Sequence, residues 1–265
     1  MGRIIVITSG KGGVGKTTCS ANLGMALAKL NHSVALIDAD FGLRNLDLLL
    51  GLENRVVYTA LEVLAGQCRL EQALVKDKRL HDLVLLPAAQ NRNKDAVTPE
   101  QMKQLAYALT KKYEFVLIDC PAGIEMGFQN AIAAADEALI VTTPEISAVR
   151  DADRVVGLLE AHHIKTINLI VNRIRPAMVQ ANDMMSVNDV QEILAIPLIG
   201  IIPDDEQVIV ATNRGEPLVL SDNFSMSGMA LQNIAQRIEG KDVDFLDLDA
   251  PYDTLFSRLR RFFAR

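Results

Sequence analysis

Gly10-Lys11-Gly12-Gly13-Val14-Gly15-Lys16-Thr17-Thr18 follows directly on the apolar run Ile4-Ile5-Val6-Ile7. A short apolar run bounded by glycine reads as a buried strand, and Thr17–Leu30 behind the motif reads as a helix whose N-terminus faces the loop. Gly10, Gly15, Lys16 and Thr17 fall at the spacing of a phosphate loop. In such a loop glycines let backbone N–H groups wrap phosphate oxygens, the lysine neutralises the β/γ oxygens and the hydroxyl ligates Mg²⁺. The positive end of the following helix adds to the attraction. A glycine-rich turn without a ligand is the plainer alternative, and it does not explain Lys-Thr at the head of a helix. Lys11 is a second lysine that the pattern does not need.

Outward from the loop, short apolar runs alternate with helical patterns, the mark of crossover units around a buried parallel sheet. Strands are expected at Ile4–Thr8, Val34–Asp38, Leu83–Leu86, Phe115–Asp119, Ala138–Thr142, Ile167–Asn172 and Leu198–Ile202. Helices are expected near Thr17–Leu30, Thr59–Leu64, Pro99–Lys112, Gly127–Ala134, Ala148–His162, Val187–Leu194, Val208–Asn213 and Gly228–Ile238. The fold class is therefore α/β, a doubly wound, mostly parallel sheet with helices on both faces. Residues 1–238 form the nucleotide-binding domain, 239–251 an acidic linker and 252–265 a terminal amphipathic helix.

Two acidic sites supply the metal chemistry. Phe115-Val116-Leu117-Ile118-Asp119 is an apolar strand ending in a carboxylate, as phosphate-loop enzymes use to hold the Mg²⁺ shell. Pro121-Ala122-Gly123 follows it as a segment suited to sensing a γ-phosphate. Ile37-Asp38-Ala39-Asp40 is the second site, and one of its carboxylates is suited to orienting an attacking water. Thr17, Asp38 and Asp119 are the candidate Mg²⁺ ligands. Turn or cap roles are the bland reading of both aspartates.

With 265 residues, 49% hydrophobic and 23% charged, the chain can bury a full core. A net charge of −6 argues against a general nucleic-acid binder. Cys19, Cys68 and Cys120 show no paired or metal-ligand spacing, which fits a reduced cytoplasmic setting. The expected start of the chain is a strand, not a signal peptide. His32, His81, His162 and His163 lack metal-ligand spacing and read as packed or solvated side chains. An Asn-Lys-x-Asp guanine-reading motif is absent from the sequence.

From Tyr252 to Arg265, Tyr252, Leu255, Phe256, Leu259, Phe262 and Phe263 fall on one helical arc, with Arg258, Arg260, Arg261 and Arg265 on the rest. The segment carries a net +3, while 239–251 carries −4, and Pro251 stands at the expected helix start. Core packing, nucleic-acid binding and membrane-surface binding compete for this pattern. Only the last uses both faces, aromatic and leucine side chains entering the acyl boundary and arginines meeting anionic headgroups. Each arginine contributes on the order of 1 kcal/mol near an anionic surface, so one copy binds weakly, whereas two copies on a dimer gain avidity of roughly 10²–10⁴.

The loop Gly10–Thr18 with its extra lysine resembles the deviant Walker A motif of the ParA/MinD ATPases, and Lys11 matches that family's signature lysine. The stretches Asp38–Asp47, Asp119–Gly123 and Pro144–Asp153 resemble its division-site members, and the similarity runs from Ile4 to the C-terminus. The resemblance implies an ATP- and Mg²⁺-dependent hydrolase in which Gly10, Gly12, Gly13, Val14, Gly15 and Thr18 complete the nucleotide loop. It implies that Lys16 contacts the β/γ-phosphates, Thr17 and Asp119 serve the metal, Asp40 positions the hydrolytic water, and Lys11 crosses to the other subunit of an ATP-dependent homodimer. Asn172-Arg173 and Pro203-Asp204 match positions that hold adenine.

The same resemblance implies a cytoplasmic protein reversibly peripheral on the inner face of the cell membrane. Its implied partners are anionic lipids, the septum inhibitor MinC and the hydrolysis-stimulating factor MinE, with no specific nucleic acid. A DNA-partition ATPase, a flagellar-placement ATPase and a small-molecule synthetase on the same fold are the alternatives.

Overall fold

Among the described residues the seven expected strands form and an eighth, β3, joins them: β1 (Arg3–Thr8), β2 (Val34–Asp38), β3 (Val75–Lys76), β4 (Leu83–Leu86), β5 (Phe115–Asp119), β6 (Glu137–Thr142), β7 (Thr166–Ile174) and β8 (Leu198–Pro203). The computed structural model describes residues 2–90, 97–221 and 225–248. The expected helix at 252–265, with every side chain assigned to the membrane, lies outside them.

The strands form one sheet in the order β3-β4-β2-β5-β1-β6-β7-β8. Every neighbouring pair is parallel except β3 with β4, where Val75 faces Leu85 in an antiparallel bridge. The central strands are continuous runs of branched apolar residues because both faces are covered. Alternation along β1 sends Ile4 and Val6 into one layer with Met102, Phe128 and Val155, and Ile5 and Ile7 into the other with Leu23, Leu27 and Ile234.

The helix Lys16–Lys29 is buried at every residue from Cys19 to Ala28, because the last helix, Met226–Ile238, packs in the same layer. Helices Pro99–Leu109, Met126–Ile132 and Ile146–Ala161 cover the opposite face. Thr98 starts the first of these with a capping box to Gln101. Short helices at Leu46–Leu50, Leu70–Ala73 and Pro176–Gln180 were not among the sequence expectations.

The topology decides where a ligand can sit. From β1 the chain goes to β2 beyond β5, whereas from β5 it crosses to β6 on the other side of β1. Connections leaving in opposite directions open a crevice at the carboxyl end of β1. That same rim carries Asp38, Asp119, Asn172 and Pro203 at or near the ends of β2, β5, β7 and β8.

Candidate nucleotide-binding site

The loop Ser9–Gly15 joins β1 to the helix that starts at Lys16. Gly15 takes the left-handed conformation (φ 95°), and an added Cβ would lie 2.3 Å from Asn172 Nδ2. Gly10 has a different constraint: its Cβ would lie 2.3 Å from the backbone of Asp151, so helix Ile146–Ala161 closes directly onto the loop. No side chain caps the helix at Lys16 and no acidic residue lies in its first turn. Its N–H groups and positive dipole end therefore remain directed at the crevice.

Lys16 is 7% exposed and its Nζ lies 3.1 Å from Asp119 Oδ1 and 3.3 Å from Thr17 Oγ1. Burial disfavours the ammonium, but the surrounding groups, Asp119 foremost with Cys120 and Asp40 behind it, together outweigh burial and hold the lysine above its ordinary pKa. Ser20, one turn on, places its hydroxyl 2.7 Å from the same Asp119 oxygen and 3.1 Å from the Lys16 carbonyl. Ser20 was not anticipated; its signal is the four-residue helical spacing from Lys16.

Asp38 and Asp119 sit opposite one another on β2 and β5. Asp38 accepts the backbone N–H of Asp40 at 3.0 Å and of Leu46 at 3.3 Å, and so shapes the loop that carries Asp40. Burial, reinforced by the charge of Asp119, pushes the Asp38 carboxyl up to about 7. Cys120 and Cys19 are fully buried with their thiols pushed up to about 12, which suits packing and not nucleophilic chemistry.

Lys11 stands at the opposite end of the loop with its side chain 42% exposed. Its Nζ lies 3.0 Å from Ser147 Oγ and 3.4 Å from Glu145 Oε2 within its own chain. The adenine candidates divide. Asn172 donates its side-chain amide to the Val14 carbonyl at 2.7 Å, bracing the phosphate loop from below, and its Oδ1 accepts from Arg173 N at 3.0 Å. Asp204, after Pro203 on the neighbouring strand, pairs with Arg175 at 2.6 Å.

Residues 5–218 match the family model of the CobQ/CobB/MinD/ParA nucleotide binding domain. The chain belongs to that family. It is 65% identical over 261 residues to the septum site-determining protein MinD of Synechocystis, covering 98% of each chain. The MinD of a MinC:MinD cell division complex from Aquifex aeolicus is 50% identical with a TM-score of 0.85, over 91% of this chain and 97% of that one. MinD of Pyrococcus horikoshii, solved with Mg-ADP, is 33% identical with a TM-score of 0.82, over 91% and 97%. A ParA family ATPase of Chlorobium tepidum, at 21% identity and TM-score 0.76, shares the fold. The likeness is thus to the MinD branch of the family.

The residues present fit the nucleotide and metal of a MinD-type site. Among the described residues no group of three or more His, Cys, Asp or Glu side chains is arranged to hold a metal. Thr17, Asp38 and Asp119 are hard oxygen donors, and Mg²⁺ is commonly held by one or two carboxylates together with substrate phosphates and water.

Proposed function

We propose that this chain is an ATP-hydrolysing membrane switch that helps place the division site. The division-site role is supported by its likeness to septum site-determining proteins. The observation that carries the ATPase reading is the buried Lys16–Asp119 pair beneath an uncapped helix N-terminus. That pair holds the lysine in one position, so little ordering cost remains to be met on binding.

The loop N–H groups and Lys16 hold the phosphates, while Thr17, Asp38 and Asp119 hold Mg²⁺. When bound, Mg²⁺ neutralises charge developing on the phosphoryl oxygens. Asp40, carried on the loop that Asp38 shapes, orients the attacking water. Lys11 leaves its surface partners and reaches the phosphates of a second copy, so full charge neutralisation requires a dimer. Exposed apolar side chains on the loops after β2 and β5, Leu43 and Ile124, and at the starts of the helices after β5 and β6, Met126 and Ile146, support a partner covering this rim.

Dimerisation brings together two C-terminal segments, whose aromatic and arginine faces bind anionic lipid as a pair. MinC recruitment is supported by the Aquifex complex. MinE-stimulated hydrolysis, which would release the membrane, follows from the family resemblance.

The full-length protein in ATP and Mg²⁺ is expected to be retained on anionic liposomes and not on DNA. Glu at Phe256 and Phe262 should abolish that retention and leave basal ATPase activity intact. Retention on DNA in place of liposomes would replace this reading with a partition function. Asp40→Ala should keep ATP binding and dimerisation while slowing turnover about 100-fold, measured by phosphate release.

A further inference from the structure

The acidic run expected as a linker lies against the body as far as Leu248. Arg237, in the last turn of helix Met226–Ile238, donates to the carbonyls of Val243 at 2.9 Å, Asp244 at 2.8 Å and Ile199 at 2.9 Å. Its guanidinium carbon lies 4.1 Å from the centre of the Phe245 ring. All three arms of one planar cation are thus used to bind the following segment to the sheet.

The sheet contact is at a special point. β8 is the edge strand, and Leu169 and Ile170 of β7 pair with Leu198 and Gly200, leaving Ile199 as the extra residue of a bulge. A bulged residue has no ladder partner on its neighbour. Arg237 takes its carbonyl.

Two further anchors extend this attachment in both directions. Upstream, Glu239 lies 2.7 Å from His32 Nε2 and also pairs with Lys241. Downstream, Leu246 packs against the core layer that holds the last helix, whereas Leu248 packs against the layer on the other side of the sheet. The segment therefore passes round the β8 edge as a strap. Asp242, Asp244 and Asp247 are exposed along a backbone that Arg237 ties in.

We infer that Arg237 is a positioning residue for membrane attachment, fixing at the β8 edge the point from which the C-terminal segment departs. This rests on the membrane reading given above. By sequence, three residues (249–251) lie between Leu248 and Tyr252, and ten (242–251) lie between Lys241, whose N–H is held by the Gln236 carbonyl at 3.0 Å, and Tyr252. Effective concentration between linked sites falls roughly as the −3/2 power of linker length, so release lowers the avidity of a two-tailed dimer about sixfold. A single tail gains nothing from a short tether. The strap therefore matters in the ATP-bound dimer and not in the monomer.

The test uses the full chain, ATP or ADP, and vesicles of phosphatidylcholine containing about one third phosphatidylglycerol, an anionic surface. Arg237→Gln should speed amide exchange across 242–248 and weaken ATP-dependent vesicle binding about sixfold, while binding in ADP and basal ATPase activity stay as in the wild type. Inserting eight Gly/Ser residues between Leu248 and Asp249 leaves Arg237 and the strap in place, and should produce the same loss. Wild-type affinity in ATP for either the insertion variant or an Arg237→Gln protein with a released strap would overturn the positioning role. Absence of vesicle binding by the wild type would defeat the membrane reading itself, and this inference with it. Equal losses in ATP and ADP would also overturn it, since avidity acts only on the dimer.

Discussion

The phosphate loop is held in opposite ways at its two ends. At its root, Val14 and Lys16 are buried, Asn172 grips the Val14 carbonyl and Asp119 grips Lys16. At its tip, Gly12 and Gly13 are exposed and Lys11 rests on two surface side chains. A buried pair is expensive to break because each charge left behind has no water. A surface pair is exchanged at little cost. The root is therefore complete within one chain, while the tip is free to take a new partner, which is the division of labour that a dimer-dependent lysine requires.

Substitutions at the root should have the largest effects. Lys16→Ala strands Asp119 in the core, and a loss of about 3 kcal/mol of stability is expected in denaturant titration. Nucleotide affinity should fall about 100-fold or more by calorimetry. Gly15→Ala should cost about 2 kcal/mol, because it combines a left-handed residue with a collision at Asn172. The same change in an Asn172→Ala background should cost measurably less, and strict additivity would show that the brace and the glycine do not interact.

Asp38 gives a pH-dependent effect in protein free of nucleotide and metal. Its folded pKa of about 7 lies above the ordinary 3.8, so the folded state binds more protons than the unfolded state between those values. Stability should therefore fall as pH rises from about 4 to 7, by at most about 1.4 kcal/mol per pH unit, and Asp38→Asn should flatten that slope. At the tip, Lys11→Ala should change stability by less than about 0.5 kcal/mol. Its expected phenotype is loss of the ATP-dependent dimer in light scattering; a normal dimer would remove Lys11 from the partner's site.

The root was legible because strand, loop and helix follow one another within a few residues, and the chemistry of phosphate binding limits which side chains stand where. The crossover strands were legible for the same local reason, each being an apolar run long enough to show itself. β3 was not, since two residues carry no periodicity and Val75 joins the sheet only because Leu85 offers it an edge. Helix Leu46–Leu50 was missed because its placement depends on Asp38 binding the Leu46 N–H and on Arg44 pairing with the buried Asp47 at 2.6 Å. Asn172 matches a family position that holds adenine, and the structure adds that its amide braces the loop, a contact between residues 158 positions apart that no local pattern encodes.

The acidic run after residue 238 shows the same limit from another side. Its composition reads as a solvated linker, and its charges are indeed compatible with water. What ties it down is backbone carbonyls meeting one arginine and a bulged edge strand. By itself the sequence determined the α/β class, the phosphate loop, the carboxylates at strand ends and the likeness to the MinD branch, because these depend on local patterns and on residue types required by chemistry. Only the tertiary structure decided which lysine is buried, which amide braces the loop and where the C-terminal strap is held, because those are contacts between distant segments, fixed by packing and by the obligation to satisfy buried polar groups.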